Sequence, residues 1–344
     1  MYKRIVPALC MALLVGLTHA AEAQQFDSVR RASGSTNGRI TSISPIQVVL
    51  ERSGVSEEIP VNEVQYLTFA GEPRELTLGR LNAFNGRYED ALEALGKVDA
   101  ASIEREAIKQ DLEFYKAFCV SKLALGGSGS IPDAGKQMYA FETAGRNSYH
   151  YLEACEILGD LFVALGRYPQ AETYYDKLSK VEWPDFKMRS GVLVGRALQA
   201  QNKHAEAITR FDQVLQLNVT TPEANKQKLA ATLGKAVSIA AGGKTAEALK
   251  MVEEVIKQAD PENTELHARA YNALGNCYLK DGKTKEALLA FLHTDVLYNS
   301  FPEAHAEALA QLSKLWDKVG QADRGRQAAT LLKDRYPGSN WANQ

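Results

Sequence analysis

The chain has 344 residues, of which 45% are hydrophobic, 24% charged and 8% aromatic. Forty Lys and Arg face 42 Asp and Glu, giving a formal net charge of −2. This balance excludes a disordered, fibrous or polytopic membrane protein and offers no basic excess for nucleic acid.

Lys3 and Arg4 precede an apolar run from Ile5 to Leu17, followed by the small-x-small patterns Thr18-His19-Ala20 and Ala21-Glu22-Ala23. Residues 1–23 therefore read as a signal peptide, with cleavage after Ala20 or Ala23. The run is about 13 residues, short of the about 20 that cross a bilayer. No integral membrane segment is expected after cleavage, and the protein is expected to be exported, periplasmic or envelope-associated. Cys10 leaves with the signal, while Cys119, Cys155 and Cys277 remain. An odd count leaves at least one thiol unpaired. All three lie on apolar stripes of predicted helices and read as small buried hydrophobes, with a Cys119–Cys155 bridge as the alternative.

Residues 24–37 are polar and Ser/Gly-containing, and read as a flexible leader. Residues 38–71 alternate and carry turn signals, which predicts a small four-strand β-meander over Gly38–Ile43, Ile46–Glu51, Glu57–Val61 and Val64–Phe69. The pattern looks like an SH3-like or Sm-like half-barrel. It serves either as an N-terminal cap or as an edge that accepts a partner strand.

From Glu72 the strand signals stop and a period begins. The segments NGRYEDAL, LGRYPQAETYY, QNKHAEAITRF, GGKTAEALKMV, DGKTKEALLAF and VGQADRGRQAA align on a turn followed by a small residue. Their anchors are Ala91, Ala171, Ala207, Ala248, Ala287 and Gly325, at steps of 80, 36, 41, 39 and 38 residues. The first step spans two periods, so a divergent unit with its turn at Gly126–Ser130 lies between. A period near 40 built from two helices predicts an α-solenoid of about seven helical hairpins over residues 72–336. Residues 337–344 form a C-terminal tail.

These residues resemble the tetratricopeptide repeat family. In the third unit, Leu158-Gly159, Phe162, Gly166, Tyr168, Ala171 and Tyr175 fall on the family's signature positions. In the sixth, Leu274-Gly275, Tyr278, Gly282, Ala287 and Phe291 do so, and the fourth supplies Val194-Gly195, Leu198, Ala207 and Phe211. The units are longer than the family's usual repeat, with extra residues at Asn299-Ser-Phe-Pro302 and Gly242-Gly243. The resemblance implies a mainly α fold and a concave face lined by the first helix of each hairpin. Carried over by the Leu-Gly anchors, the groove positions give Glu153, Glu156 and Asp160 in the third unit, then Arg189, Arg196, Lys228, Lys235, Arg269, Asn272 and Asn276. The seven residues from Arg189 to Asn276 are the candidate peptide-binding set, and the seventh unit adds Lys314 and Lys318, tempered by Glu307 and Asp317. Arg grips a carboxylate with two parallel donors, and Asn satisfies peptide backbone groups. The groove is expected to run from acidic in the middle to basic toward the C-terminus.

Catalytic signatures are absent from the sequence. There is no phosphate-cradling G-x-x-x-x-G-K-[ST], no H-E-x-x-H, and no Cys/His spacing for zinc. His204 and His305 stand singly at helix starts and read as solvated surface. No catalytic residue, cofactor or metal is expected. The expected function is a non-enzymatic protein-binding scaffold of the bacterial cell envelope, holding an extended or C-terminal acidic peptide segment. A peptidoglycan- or glycan-associated accessory subunit recruiting an envelope enzyme is the alternative. Self-association through the solenoid ends is a further partner reading.

Overall fold

The computed structural model describes residues 26–339 and 341–342. The signal-peptide segment lies outside the described residues. Five strands open the fold: β1 (Asp27–Arg31), β2 (Gly34–Ile43), β3 (Gln47–Arg52), β4 (Val55–Pro60) and β5 (Val64–Thr68). They form one antiparallel sheet in the order β4-β3-β2-β1-β5, with a 3-10 turn at Val61–Glu63 before the last strand.

The expected four strands are therefore five, and the expected leader at 24–37 instead contributes β1 and the start of β2. The reason is pairing rather than hydrophobicity. β1 bonds β2 on one side and β5 on the other. Its Asp27 is 3% exposed. The carboxylate accepts from the Ile40 amide at 2.7 Å, the Ala70 amide at 2.8 Å and Arg105 Nη1 at 2.6 Å. Val29 alone among the five residues of β1 adds apolar surface to the core. A five-residue polar segment can thus be ordered with little hydrophobic signal.

Fourteen helices follow as seven antiparallel hairpins. They are α1 (Arg74–Phe84) with α2 (Tyr88–Gly96), α3 (Glu106–Leu125) with α4 (Ile131–Ala144), and α5 (Tyr151–Ala164) with α6 (Tyr168–Leu178). Next come α7 (Pro184–Ala200) with α8 (His204–Leu215), and α9 (Pro222–Ala241) with α10 (Thr245–Gln258). The last are α11 (Thr264–Lys280) with α12 (Thr284–Leu297), and α13 (Pro302–Lys318) with α14 (Ala322–Arg335).

Two sequence devices recur among the hairpins. The turn carries one left-handed residue, at Gly86, Gly166, Asn202, Gly243, Gly282 and Gly320 in the six regular units. Asn202, in the fourth hairpin, works because Asn tolerates positive φ better than other side-bearing residues. The second device is a glycine on the first helix that receives the large residue sixteen positions later. A Cβ on Gly79 would lie 2.5 Å from Leu95, one on Gly195 2.5 Å from Phe211, and one on Gly275 2.6 Å from Phe291. The anchors Ala91, Ala171, Ala207, Ala248 and Ala287 are fully buried. Small residues on both helices let the backbones close up.

The sheet docks on the first hairpins through an ionic cluster that is almost dry. Arg80 of α1 is 1% exposed. It donates to Glu72 at 2.7 and 2.8 Å and to Asp111 of α3 at 2.9 and 2.6 Å. Glu72 also accepts from the Phe69 amide just past β5, at 2.9 Å. Asp111 accepts from the Tyr149 hydroxyl at 2.7 Å and sits 3.0 Å from His150 Nε2. The His150 ring stacks on Phe114 at 3.6 Å. Burial alone would raise the Asp111 carboxyl, but Arg80 and His150 hold it below the ordinary carboxylate range.

The array winds back on itself. Gly338 N donates to Gly127 O at 3.3 Å, joining the C-terminal end to the turn of the second hairpin. Gly127 has φ +89°, and a Cβ there would lie 3.0 Å from Tyr336 Cα. Only glycine meets both demands. Tyr336 is anchored by His305, whose Nδ1 lies 2.7 Å from the tyrosine oxygen and whose Nε2 lies 2.8 Å from Asp295. His305 is thus buried, not the solvated residue expected from its place at a helix start.

Cys119, Cys155 and Cys277 are buried and unbridged. Burial pushes their thiols up to about 12, 11 and 11, so they stay protonated at neutral pH. Among the described residues no helix is long and apolar enough to cross a membrane.

Candidate peptide-binding groove

The first helices of hairpins three to seven carry the candidate charges, and several of them pair across hairpins. Arg189 of α7 makes a two-pronged pair with Glu156 of α5, both contacts at 2.6 Å. Arg269 of α11 donates to Glu265 at 3.1 Å and to Glu303 of α13 at 2.8 Å, and lies 4.7 Å from the centre of the Phe301 ring. Arg196 of α7 reaches the same Glu303 oxygen at 3.5 Å. One carboxylate oxygen therefore joins the fourth, sixth and seventh hairpins.

The asparagines face the seventh hairpin as well. Asn272 Nδ2 donates to Ala304 O at 2.8 Å and Glu307 Oε2 at 2.9 Å, while its Oδ1 is buried without a partner. Asn276 donates to Glu307 Oε1 at 2.9 Å. Lys235 of α9 pairs with Asp212 of α8 at 2.7 Å, and Lys228 donates to Val219 O at 2.8 Å. The structure thus brings Arg196, Arg269, Asn272 and Asn276 to the α13 side. It places Arg189 on Glu156 and turns Lys228 and Lys235 toward their own neighbourhood.

The electrostatics follow from this crowding. The charge of Arg269 pulls Glu303 down to about 2 against the cost of burial, with Arg196 helping. Glu303 is still 58% exposed, so water reaches the carboxylate beside the two arginines. Burial raises Glu307, opposed by the two asparagine amides and reinforced by Glu303. Burial, with the Glu156 charge beside it, pushes Asp160 up to about 6. The expected gradient from acidic to basic is replaced by alternating charges, because the seventh hairpin delivers Glu303 and Glu307 opposite the cations. Glu307 is among the expected groove positions as a tempering acid, whereas Glu303 is not. Glu303 stands in the first turn of α13, directly after Pro302.

The tetratricopeptide repeat model matches residues 193–264 and 233–293, and a second model of the same description matches 154–187. The chain carries tetratricopeptide repeats over residues 154–187 and 193–293. No curated protein matches the chain. Among solved structures it is similar to NprR in complex with its cognate peptide NprX, at TM-score 0.51 and 16% identity over 78% of this chain and 79% of that one. It is also similar to a Rap protein complexed with Competence and Sporulation Factor, at TM-score 0.52 and 13% identity over 77% and 74%. A tetratricopeptide repeat protein from Parabacteroides merdae aligns at TM-score 0.49, with 14% identity over 76% and 91%.

Proposed function

We propose that this protein is a non-enzymatic scaffold that holds a carboxylate-bearing peptide segment in its concave groove. The observation that carries the reading is the convergence of Arg196 and Arg269 on one carboxylate oxygen. Two guanidiniums from separate hairpins that meet at a carboxylate mark a point suited to an acidic side chain or a free C-terminus. NprR, a protein of similar fold solved with a bound peptide, supports the same class of ligand. The proposed place of action is the bacterial cell envelope, with residues 1–23 acting as the export signal.

The test is selection of soluble peptides with free C-termini on the full chain and on its Arg196→Glu/Arg269→Glu variant. Acidic sequences are expected on the first and lost on the second, with helicity unchanged by circular dichroism. Equal recovery on both would place the interface elsewhere and sink the groove reading.

A further inference from the structure

The carboxylate that unites Arg196 and Arg269 belongs to the protein itself. Glu303 sits in the first turn of α13, after Pro302 at the helix start. Its charge is therefore favoured by the helix N-terminus as well as by two guanidiniums. The short α12–α13 connection just before it also lays Phe301 under Arg269. Its contacts are unequal. Arg269 is held at 2.8 Å, while Arg196 is stretched to 3.5 Å, the outer limit of a hydrogen bond. A carboxylate bound for its own sake would take both arginines closely. This one is tight on one side and loose on the other, and its side chain is 58% open to the groove water.

We propose that Glu303 is an internal stand-in for the ligand. Its carboxylate occupies the anion position between Arg196 and Arg269 in the free protein, and an acidic group of the incoming peptide displaces it. The proposal rests on the groove reading given above and adds the residue that sets its affinity. Two consequences follow from competition for one site. A ligand must first expel Glu303, so the free protein discriminates against weakly acidic or neutral segments. Expulsion also releases the only carboxylate described that links α7 to α11 and α13, so ligand entry and loosening across the groove are the same event.

The experiment uses the full chain and a fluorescein-labelled hexaglutamate peptide with a free C-terminus, followed by fluorescence anisotropy at fixed low salt. Glu303→Gln keeps the side-chain shape and removes the charge. It is expected to bind the probe at least about tenfold more tightly than the native protein, since every 1.4 kcal/mol of removed competition is a factor of ten. Glu303→Asp shortens the side chain and keeps the charge, so its affinity should fall between the two. It also guards against an effect of lost folding in the first variant. Arg196→Gln/Arg269→Gln should abolish binding in the native and the Glu303→Gln backgrounds alike. Equal binding by native and Glu303→Gln protein, with loss in the arginine pair, would overturn the stand-in and leave the groove reading in place. Absence of binding by native and Glu303→Gln protein, both folded by circular dichroism, would overturn both.

Discussion

The two halves of the molecule are held together differently. The sheet and the first hairpins share one continuous core that runs from Val29 to Leu161 and includes Phe69, Phe114 and Phe141. The later hairpins bury three separate clusters, rich in alanine and centred on Phe211, Val252 and Phe291. The first half is globular in its logic: distant segments meet, and a buried Arg80–Glu72–Asp111 cluster fixes how they meet. The second half is an array in which each hairpin finds its partner next door, so its stability is close to a sum over neighbours. Order in the first half depends on long-range charge placement, and in the second on repeated close approach.

The largest expected effect breaks the first half. Arg80→Met leaves Glu72 and Asp111 buried without their cation, a loss of about 3–5 kcal/mol. Hydrogen exchange should show lost protection over β5, α1 and α3, with α11 and α12 retained. Uniform loss along the chain would erase the distinction between the halves. A smaller effect is expected in the array. Gly195→Ala drives a methyl into Phe211, at a cost of about 1–3 kcal/mol. Exchange should quicken in α7, α8 and α9 and stay unchanged in the sheet.

Tyr336→Phe removes the hydroxyl that meets His305 and should cost about 1 kcal/mol, read from the urea midpoint. Its exchange signature should be confined to α13, α14 and the turn of the second hairpin.

Acid pH should separate sheet seam from groove by sign. Burial favours the neutral Asp27 carboxyl, but Arg105 and the Ala70 and Ile40 amides outweigh it and hold the group below its ordinary value of about 3.9. Its contribution is present above that pH and is lost as pH falls through the lower folded value. Asp160 is the reverse case. Burial and Glu156 raise it to about 6. The folded state then binds the proton more tightly, so stability declines as pH rises from about 4 to 6. Asp160→Asn should flatten that decline in a thermal melt series, and Asp27→Asn should flatten the loss below pH 4. At the bottom of the scale, Lys97→Ala removes an exposed pair with Glu93 on α2 and should leave the urea midpoint unchanged.

The repeat half was largely legible in the sequence because its determinants are local. Turn glycines, buried alanines and the glycine that meets a large residue sixteen positions on all recur at readable spacing. What was hidden lies at long range. β1 is polar and owes its order to pairing with two strands. His150 and His305 are buried by elements that arrive from elsewhere in the chain. The pairing of Arg196 with Glu303, three hairpins apart, depends on the pitch of the whole winding. Small rotations between successive hairpins add up before the two residues meet, and no single repeat encodes their sum.

The joint between Gly127 and Gly338 changes the mechanics of such a winding. An open coil is a spring with two free ends, and its bore widens or narrows at small cost by slight changes of pitch. A coil fastened to its own earlier turn resembles a spring with both ends clamped. Its bore is set by the position of the fastening, and a change in width must be shared among all hairpins between the second and the seventh. The two glycines at the joint would then act as the gauge of the groove, although neither lines it.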